Sequence, residues 1–366
     1  MKIEIRPHLY LVDDDDHASS LVRGVQLLSA IEATGNLRAA SGTLALSYRH
    51  AWNALAEMEG RLGGPVVAMT RGRGAELTEL GRRLVAAQRL IHARVDPLFD
   101  SMATEIEAEI RSAVSQESNV LKIHASHGFA IEALNRHAHR KGILLDMNYR
   151  GSVEALNAFN RGNCDIAGFH VPMGALELPV LEQFSALLHR DHRIVALATR
   201  RQGIMVAKGN PRNIWCIEDL AHPDVQFVNR QHGSGTRAIL DLLLEQAGKS
   251  GRDINGYENI ELTHAAIAAY VLCGKADAGL GVETAARRFD LDFVPLLTER
   301  YLFVCGKKLL ADPRFLPLKE LMQSSEFRME INRLPGYDAV DTGMVSTMRE
   351  AFPRFFRQPG RKGGEG

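Results

Sequence analysis

Residues 229–237, with the sequence NRQHGSGTR, combine glycines with hydroxyl and guanidinium side chains in one short run. Glycines let backbone N–H groups come close to an anion, and Ser234 and Thr236 stand where a helix is predicted to begin. The run lacks the Gly-Lys-Ser/Thr ending of a nucleotide-binding loop, so nucleotide hydrolysis is not predicted. It predicts a site for a small anion, to which Arg230 and Arg237 either add charge or pair with acids of their own lobe.

Three further hydroxyl residues, Ser126, Ser152 and Thr263, also fall where a predicted strand gives way to a helix. Helix N-termini offer free N–H groups and partial positive charge, and ligands of open α/β sheets bind beyond the carboxyl ends of the strands. We therefore expect these turns to converge on one cleft, although any single Ser or Thr could simply cap its helix. The predicted ligand-binding residues are Ser126, His127, Ser152, Arg230, Gly233, Ser234, Gly235, Thr236, Arg237, Thr263 and His264.

A second group of polar and basic side chains lies on a predicted helix that follows Ser47. Arg, His and Asn on an exposed helix face are able to read base edges of DNA, while other basic groups hold phosphates. Residues 20–95 carry ten Arg against five acidic residues, although the whole chain is balanced at 44 against 44. The helix is predicted to bury one set of residues, namely Tyr48, Trp52, Leu55, Met58 and Leu62, and to expose Arg49, His50, Asn53 and Glu57.

Two shorter helices are predicted to position that helix. The first ends at Gly35, which suits a left-handed C-terminal position, and Asn36 is a good N-cap for a second helix over residues 37 to about 44. Downstream, residues 65–69 and 75–77 predict a hairpin whose tip carries two arginines, and the whole predicts a winged helix-turn-helix. The predicted DNA-binding residues are Arg38, Ser47, Tyr48, Arg49, His50, Asn53, Arg71 and Arg73.

The strings EATGNLRAA (residues 32–40), LSYRHAW (46–52) and LTELG (77–81) resemble the DNA-binding domain of molybdate-responsive regulators of the ModE type. They resemble LysR-type regulators more distantly. The resemblance implies a dimeric winged-helix transcription factor that binds a double-stranded DNA operator. ModE-type regulators continue into a pair of small β-barrel domains for molybdate, and this chain departs from that pattern.

A long helix is predicted after Thr78, its N-cap, with apolar residues continuing at helical spacing to Ile110 and Pro97 bending or interrupting it. Two copies could pair along it, or it could fold back on its own domain. Residues 112–119 are polar and predict a linker. The predicted domains are a winged helix-turn-helix (1–77), a linker and dimerisation helix (78–118), a ligand sensor (119–345) and a tail (346–366) whose last residues, after Gln358, are disordered.

Beyond residue 119, predicted strands alternate with helices: strands at 120–125, 143–149, 165–169, 225–229 and 277–280, and helices at 235–247 and 265–273. This alternation predicts a parallel α/β sheet in two lobes, so the fold class is a multi-domain α+β protein. The strings NRQ with GSGTR (229–237), GNCDIAG (162–168) and KADAGLG (275–281) resemble the type II periplasmic-binding-protein fold, including the form found beside molybdopterin-synthesis modules. The resemblance implies two lobes that close on a small ligand, often an oxyanion such as molybdate or tungstate.

Composition favours a cytoplasmic protein. The N-terminus lacks the basic start and apolar run of a secretion signal, no apolar stretch reaches membrane-spanning length, and the four cysteines lie far apart as reduced thiols do. No spacing predicts a catalytic triad, a paired-carboxylate site or a metal site, and the pair His137 and His139 is weak support for one. We expect neither enzymatic activity nor a cofactor.

These patterns predict a one-component transcriptional regulator that responds to a small anion, a homodimer and possibly a tetramer. The two resemblances imply that the ligand is molybdate, tungstate or a molecule related to the molybdenum cofactor. Three alternatives stay open. The first is a regulator that senses a small carboxylate such as formate. The second is an enzyme or binding module for a molybdopterin-related ligand with a DNA-binding appendage, and the third is an architectural DNA-binding protein whose clamp is vestigial.

Overall fold

The computed structural model describes residues 3–12, 18–70, 74–114 and 120–356. They fall in two units, Arg6–Asp96 and a larger unit that comprises Pro97–Gly366 together with Met1–Ile5. The wing arginines Arg71 and Arg73 and the predicted disordered tail lie outside the described residues. Across the described ranges, no helix is both long enough and apolar enough to cross a membrane.

The described residues of the first unit form three complete helices, two strand pairs and the first part of a long fourth helix. Its elements are β1 (Tyr10–Val12), β2 (Ala18–Ser20), α1 (Val22–Thr34), α2 (Leu37–Thr43), α3 (Tyr48–Leu62), β3 (Val67–Thr70) and β4 (Gly74–Leu77). β1 pairs with β2 and β3 with β4, both antiparallel. The predicted three helices and the hairpin that follows them are confirmed.

Local hydrogen bonds explain where the three helices begin and end. Gly35 ends α1 with a φ of 64°, in the left-handed region that glycine tolerates best. The Asn36 side chain accepts from the backbone N–H groups of Arg38 and Ala39, and the Ser47 hydroxyl accepts from that of His50. All three predicted end signals are confirmed.

One prediction for α3 is wrong: Tyr48 and Trp52 are not buried but 46% and 48% exposed. The buried face of α3 runs through Ala51, Leu55 and Met58. Because Ala51 has a small side chain, it fits the core position, and Trp52, one residue later, points about 100° away from it. The two aromatic rings stack on each other at 6.4 Å instead.

The helix α4 (Glu79–Val114) extends for 36 residues. Thr78 caps it as predicted, since its hydroxyl accepts from the N–H of Gly81 at 3.2 Å. Pro97 lies inside α4 without ending it. The predicted linker over residues 112–119 is wrong in its first part, because α4 continues to Val114; residues 115–119 are outside the described part.

The second unit carries a mixed sheet with helices packed on it. Its strands are β5 (Leu121–Ala125), β6 (Leu145–Tyr149), β7 (Ile166–Pro172), β8 (Arg193–Val206), β9 (Phe227–Arg230), β10 (Ile260–Glu261), β11 (Ala278–Val282), β12 (Asp292–Cys305), β13 (Tyr337–Asp338) and β14 (Val345–Thr347). Its other helices are α5 (Phe129–Arg140), α6 (Ser152–Asn160), α7 (Glu177–Gln183), α8 (Gly235–Gln246), α9 (His264–Leu272), α10 (Glu283–Arg288), α11 (Leu316–Gln323), α12 (Ser325–Asn332) and α13 (Met348–Ala351).

The sheet has the order β10-β9-β11-β8-β12-β7-β5-β6 and divides into two lobes. Lobe 1 holds β5, β6 and β7, where β5 pairs in parallel with both neighbours, and lobe 2 holds β9, β10 and β11, where β9 does the same. β8 and β12 are 14 residues each, run antiparallel to one another and pass from one lobe into the other. The predicted parallel sheet is therefore right within each lobe and wrong for the two crossing strands.

The predicted end of this domain at residue 345 is also wrong. Met348, Phe352 and Phe355 are buried in the core of lobe 1 with Phe169 of β7. Because aromatic side chains bury much apolar surface, these residues belong to the folded domain and not to a tail. The domain therefore continues at least to Phe355.

Candidate functional site

A cavity of about 160 Å³ lies where lobe 1 and lobe 2 meet. Ser152 and His170 line it from lobe 1, and the loop of His232, Gly233 and Ser234 lines it from lobe 2. The predicted convergence of hydroxyl-bearing turns is thus observed for Ser152 and Ser234, which lie far apart in the sequence but line the same cavity.

His170 presents a buried N–H donor to this site. Its Nε2 lies 3.2 Å from the Arg200 guanidinium, which can only donate, so Nε2 accepts and the proton of the neutral ring resides on Nδ1. Burial, and then the charges of Arg200 and Arg230, hold the pKa of His170 well below its ordinary value, so the ring is neutral at physiological pH. Nδ1 has no hydrogen-bond partner among the residues that the structure describes.

The Ser152 hydroxyl is the second unsatisfied group. Ser152 is 1% exposed, and its Oγ finds no partner within the described ranges. A buried polar group without a partner costs about 1–3 kcal/mol, which a bound ligand would recover. Ser152 opens α6 and Ser234 precedes α8, and neither helix has a side-chain cap, so free N–H groups of both N-termini remain for an anion.

Two buried arginines lie near the site, and one of them makes the surroundings positive. Arg200 is neutralised by Glu299, whose Oε1 accepts from Nε at 2.5 Å. Arg230 is only 5% exposed, and its described hydrogen bonds go to neutral groups, the Gln231 side chain and the Leu262 carbonyl. Burial, and next the charge of Arg200, lower the pKa of Arg230 to about 9. One guanidinium is thus left without a described carboxylate partner.

The crossing strands connect these groups to both lobes. Gln202 on β8 donates from Nε2 to Glu299 at 2.7 Å and lies 3.3 Å from the Thr236 hydroxyl at the start of α8. Ser126, at the end of β5, lies 2.6 Å from Nε2 of His170. The floor of the site is therefore a continuous hydrogen-bonded network that includes residues of both lobes.

Several predicted ligand residues are used in the structure of the protein itself. Thr263 caps α9 by accepting from the N–H of Ala266, and His127 lies 3.2 Å from Glu132. Arg237 pairs with Glu258 at 3.1 Å and its guanidinium lies over the Tyr257 ring, although Arg237 also lines the cavity.

His264 is 4% exposed with an unpartnered Nδ1 among the described residues, and burial followed by Arg230 lowers its pKa well below the ordinary value. The charge of Arg230 acts on His264, so the two predicted ligand-binding residues lie near each other. The predicted pair His137 and His139 does not form a metal site: His137 contacts Glu330 and the Phe327 ring edge. In the described part of the chain, no group of three or more His, Cys, Asp or Glu could hold a metal ion.

Sequence reasoning missed His170, Arg200, Gln202 and Glu299. The last three lie on β8 and β12, and the pair Arg200–Glu299 joins positions 99 residues apart. The sequence does contain a signal for these residues. The apolar segments that form β8 and β12 are each interrupted near the middle by charged or amide residues, which is unusual for a buried strand.

The two lobes touch at a pair of glycines. A Cβ atom at Gly151, which precedes α6, would lie 2.9 Å from the carbonyl oxygen of Gly233, which precedes α8. The backbone of Gly151 is extended, with φ of −64°, so another residue is free to adopt its conformation. Only the closeness of the lobes opposes a side chain here.

We expect Gly151→Val to lower affinity for an anionic ligand by at least tenfold, about 1.4 kcal/mol, because the lobes could no longer close at this point. Calorimetric titration with an anion that the unaltered chain binds measures the effect. Gly306→Val is the matched control, since a Cβ there meets no atom within 4 Å. Unchanged affinity in Gly151→Val would show that closure at this contact is not needed for binding.

The first unit presents a separate polar surface on α3. Arg49, His50 and Asn53 are exposed, and Arg38 of α2 lies with its guanidinium 5.9 Å from the ring centre of Tyr48. Ser47 is occupied as a cap, with its Oγ also 2.8 Å from Nδ1 of His50. The predicted DNA-binding residues within the described ranges therefore lie on or beside one helix.

Comparison with known proteins agrees with both halves of this architecture. Residues 22–82 match the family model of the bacterial regulatory helix-turn-helix protein of the lysR family, and residues 133–323, more than half of the chain, match that of the PBP superfamily domain. The chain belongs to the PBP superfamily domain family. Its N-terminal helix-turn-helix is similar to that of the lysR family.

Parts of this PBP superfamily member are similar in sequence to three known proteins. The uncharacterized protein YvgK of Bacillus subtilis (strain 168) is 34% identical over 200 residues, which are 54% of this chain and 64% of YvgK. The molybdenum-pterin-binding protein MopB of Rhodobacter capsulatus is 37% identical over 89 residues, 23% of this chain and 33% of MopB. The molybdenum transport protein ModE of Azotobacter vinelandii is 31% identical over 86 residues, 22% of this chain and 32% of ModE.

The chain therefore spans less than two thirds of the length of each of these three relatives. The LysR-type helix-turn-helix and the two-lobed domain are confirmed. The finer resemblance to the ModE type involves less than a quarter of the chain and stays a prediction.

Proposed function

We propose that this chain is a ligand-responsive, DNA-binding transcriptional regulator of the LysR type whose second unit senses a small anion. One observation carries the proposal: the buried Nδ1–H of His170 and the buried Ser152 hydroxyl lack partners among the described residues, near the charge of Arg230, whose described hydrogen bonds go only to neutral groups. Free donors beside a positive charge favour an anion over water as the bound group.

For the identity of that anion, we keep an oxyanion such as molybdate or tungstate, or a molecule related to the molybdenum cofactor, as the first candidates. The names of two relatives, a molybdenum transport protein and a molybdenum-pterin-binding protein, support this choice. A small carboxylate such as formate offers the same acceptor oxygens and is the alternative. As a DNA-binding regulator, the protein would act in the cytoplasm.

The test uses the full chain in thermal unfolding with molybdate, tungstate, sulfate, phosphate and formate, followed by DNA-binding measurements with and without each anion that stabilises the protein. A ligand at 100 times its Kd adds about 2.7 kcal/mol to the free energy of unfolding. We expect at least one anion both to raise the unfolding temperature and to change affinity for a selected operator. No stabilisation by any anion would remove the sensor assignment, and turnover of a pterin substrate would favour the enzyme alternative.

Base reading by α3 leads to a separate prediction. Arg49 is exposed near the start of α3, where recognition helices contact base edges. Arg49→Ala should weaken binding to the selected operator by about 1–3 kcal/mol and leave binding to unrelated DNA nearly unchanged, because an arginine that reads a base contributes mainly to specific binding. Gel-shift titrations with both DNAs measure the two affinities.

Arg61→Ala is the matched control, since Arg61 lies near the end of the same helix and pairs with Glu57 at 4.0 Å. We expect it to keep the operator preference. Arg71→Ala, in the predicted wing, should instead weaken all DNA alike and reduce the salt slope by about 1. Equal losses on operator and unrelated DNA for Arg49→Ala would place Arg49 on the phosphate backbone.

A further inference from the structure

The cavity between the lobes has two chemically different ends. One end holds Ser152 and His170, because a Cβ atom at Gly235, the first residue of α8, would lie 3.7 Å from Ser152 Oγ and 3.9 Å from His170 Cβ. The other end is apolar: Ile239 lies about one helical turn beyond Gly235, and Val180 and Phe184 of lobe 1 line the same cavity. All three apolar residues are no more than 4% exposed. A bare tetrahedral oxyanion needs donors on every side, so the apolar end does not suit it.

The size of the cavity also exceeds the need of a bare oxyanion. A cavity of roughly 150 Å³ lined by apolar side chains accepts a benzene ring. The volume here is about 160 Å³. It therefore has room for a body of about the size of one six-membered ring beside the donors.

The cavity also has an outer edge of exposed polar side chains. Gln183, His232 and Asp241 line it, and the Asp241 carboxylate accepts a hydrogen bond from the Tyr257 hydroxyl. Asp241 is exposed, so this edge opens toward water. Polar groups at the rim of an apolar pocket fix the orientation of a ligand and favour one that carries polar atoms there.

We propose that the ligand is an organic anion whose phosphate or carboxylate group binds at Ser152 and His170 and whose ring-sized body packs against Val180, Phe184 and Ile239. This inference rests on the proposed anion sensor and narrows its ligand class. Among the candidates above, it disfavours free molybdate, tungstate and formate, none of which carries a body of that size.

Two matched pairs of probes test the inference on the full chain: phenyl phosphate against inorganic phosphate, and benzoate against formate. Each pair shares its anionic group and differs in the ring, so the pairs also distinguish a phosphate site from a carboxylate site. In calorimetric titrations we expect the ring-bearing member of at least one pair to bind at least tenfold more tightly. Molybdate and sulfate should bind no better than inorganic phosphate.

A variant localises the effect. Ala238 lines the cavity on α8 and is half-buried, so Ala238→Phe would fill the apolar end with little disturbance of the core. We expect it to reduce affinity for the ring-bearing probe to that of its ringless partner. Glu245→Phe, at an exposed position of the same helix and outside the cavity lining, is the control and should keep the wild-type preference.

The outcomes separate this inference from the sensor assignment. Binding of molybdate, sulfate or the ringless probes as tight as that of the ring-bearing ones would overturn the organic-anion class and leave an anion sensor. Absence of binding by every anion in the panel would overturn both. The comparison of ring-bearing with ringless probes on the unaltered chain tests the organic-anion class even if Ala238→Phe does not fold.

Discussion

Replacing Arg230 with methionine is expected to lower affinity for the anionic ligand by about 30-fold or more while raising the stability of the ligand-free protein. Arg230 is buried with only neutral hydrogen-bond partners in the described chain, and its charge acts on both His170 and His264. Truncating one partner of a buried charge pair costs about 2–5 kcal/mol of binding, which is the source of the expected loss.

The burial of Arg230 also explains why the Arg230→Met variant should be more stable than the unaltered protein when no ligand is bound. A buried ion that lacks a partner carries a desolvation penalty of several kcal/mol, and burial with the repulsion from Arg200 already lowers the pKa of Arg230 to about 9. At neutral pH the guanidinium is still charged in both the folded and the unfolded chain, so the folded state carries the whole penalty. An apolar side chain of similar length removes it, and a gain of about 1 kcal/mol would raise the unfolding temperature by about 2–4 °C.

Arg300→Met provides the matched control for Arg230→Met. Arg300 is also largely buried, but it pairs with Glu177 and lies 4.9 Å from the ring centre of Phe352, outside the site. Its loss should lower stability and leave anion affinity unchanged. Thermal unfolding and calorimetry on both variants measure the two effects. A destabilised Arg230→Met that still bound the anion at full affinity would make Arg230 a structural residue.

The parts of the fold that local chemistry determines were predictable from the sequence. Gly35, Asn36 and Ser47 define the helix ends of the first unit through hydrogen bonds within four residues of themselves. The prediction that Tyr48 and Trp52 are buried was wrong, because the apolar character of a residue does not show which of several neighbouring residues fills a core position. Here the small Ala51 fills it.

The sequence predicts the residues of the candidate site that stand at turns before helices. It does not predict the residues that meet only because two distant strands pair. Ser152 and Ser234 stand at helix starts, which the alternation of strands and helices reveals. Arg200 and Glu299 meet only because β8 and β12 run side by side across both lobes. No local pattern encodes that pairing, so the network at the floor of the site required the structure.

We propose that two copies of this chain pair along α4, and a second large effect is expected there. The double variant Met102→Glu with Ile106→Glu should convert that dimer into a monomer and weaken operator binding at least 100-fold. One face of this part of α4 packs on its own unit: Ala103 is buried, and the Thr104 hydroxyl donates to the Met147 carbonyl at 3.1 Å. This part of α4 therefore packs against the larger unit, to which the residues from Pro97 onward belong.

That contact leaves a second face uncovered. Four apolar residues spaced four apart are 39–59% exposed, namely Leu98, Met102, Ile106 and Ile110. A continuous apolar stripe on a long helix is typical of a surface that pairs with another helix, and a second copy of this chain offers the same stripe. Because two linked DNA-binding units gain a factor of about 10²–10⁴ over one, loss of pairing would remove most of the operator affinity.

Sedimentation analysis and gel-shift titration measure assembly and operator binding in the same preparations. Met102→Leu with Ile106→Leu is the control, because it keeps the stripe apolar and should retain both properties. A charged variant that stays dimeric would show that the copies meet elsewhere. A monomeric variant with full operator affinity would show instead that one helix-turn-helix suffices, in which case the exposed stripe serves a partner other than this chain.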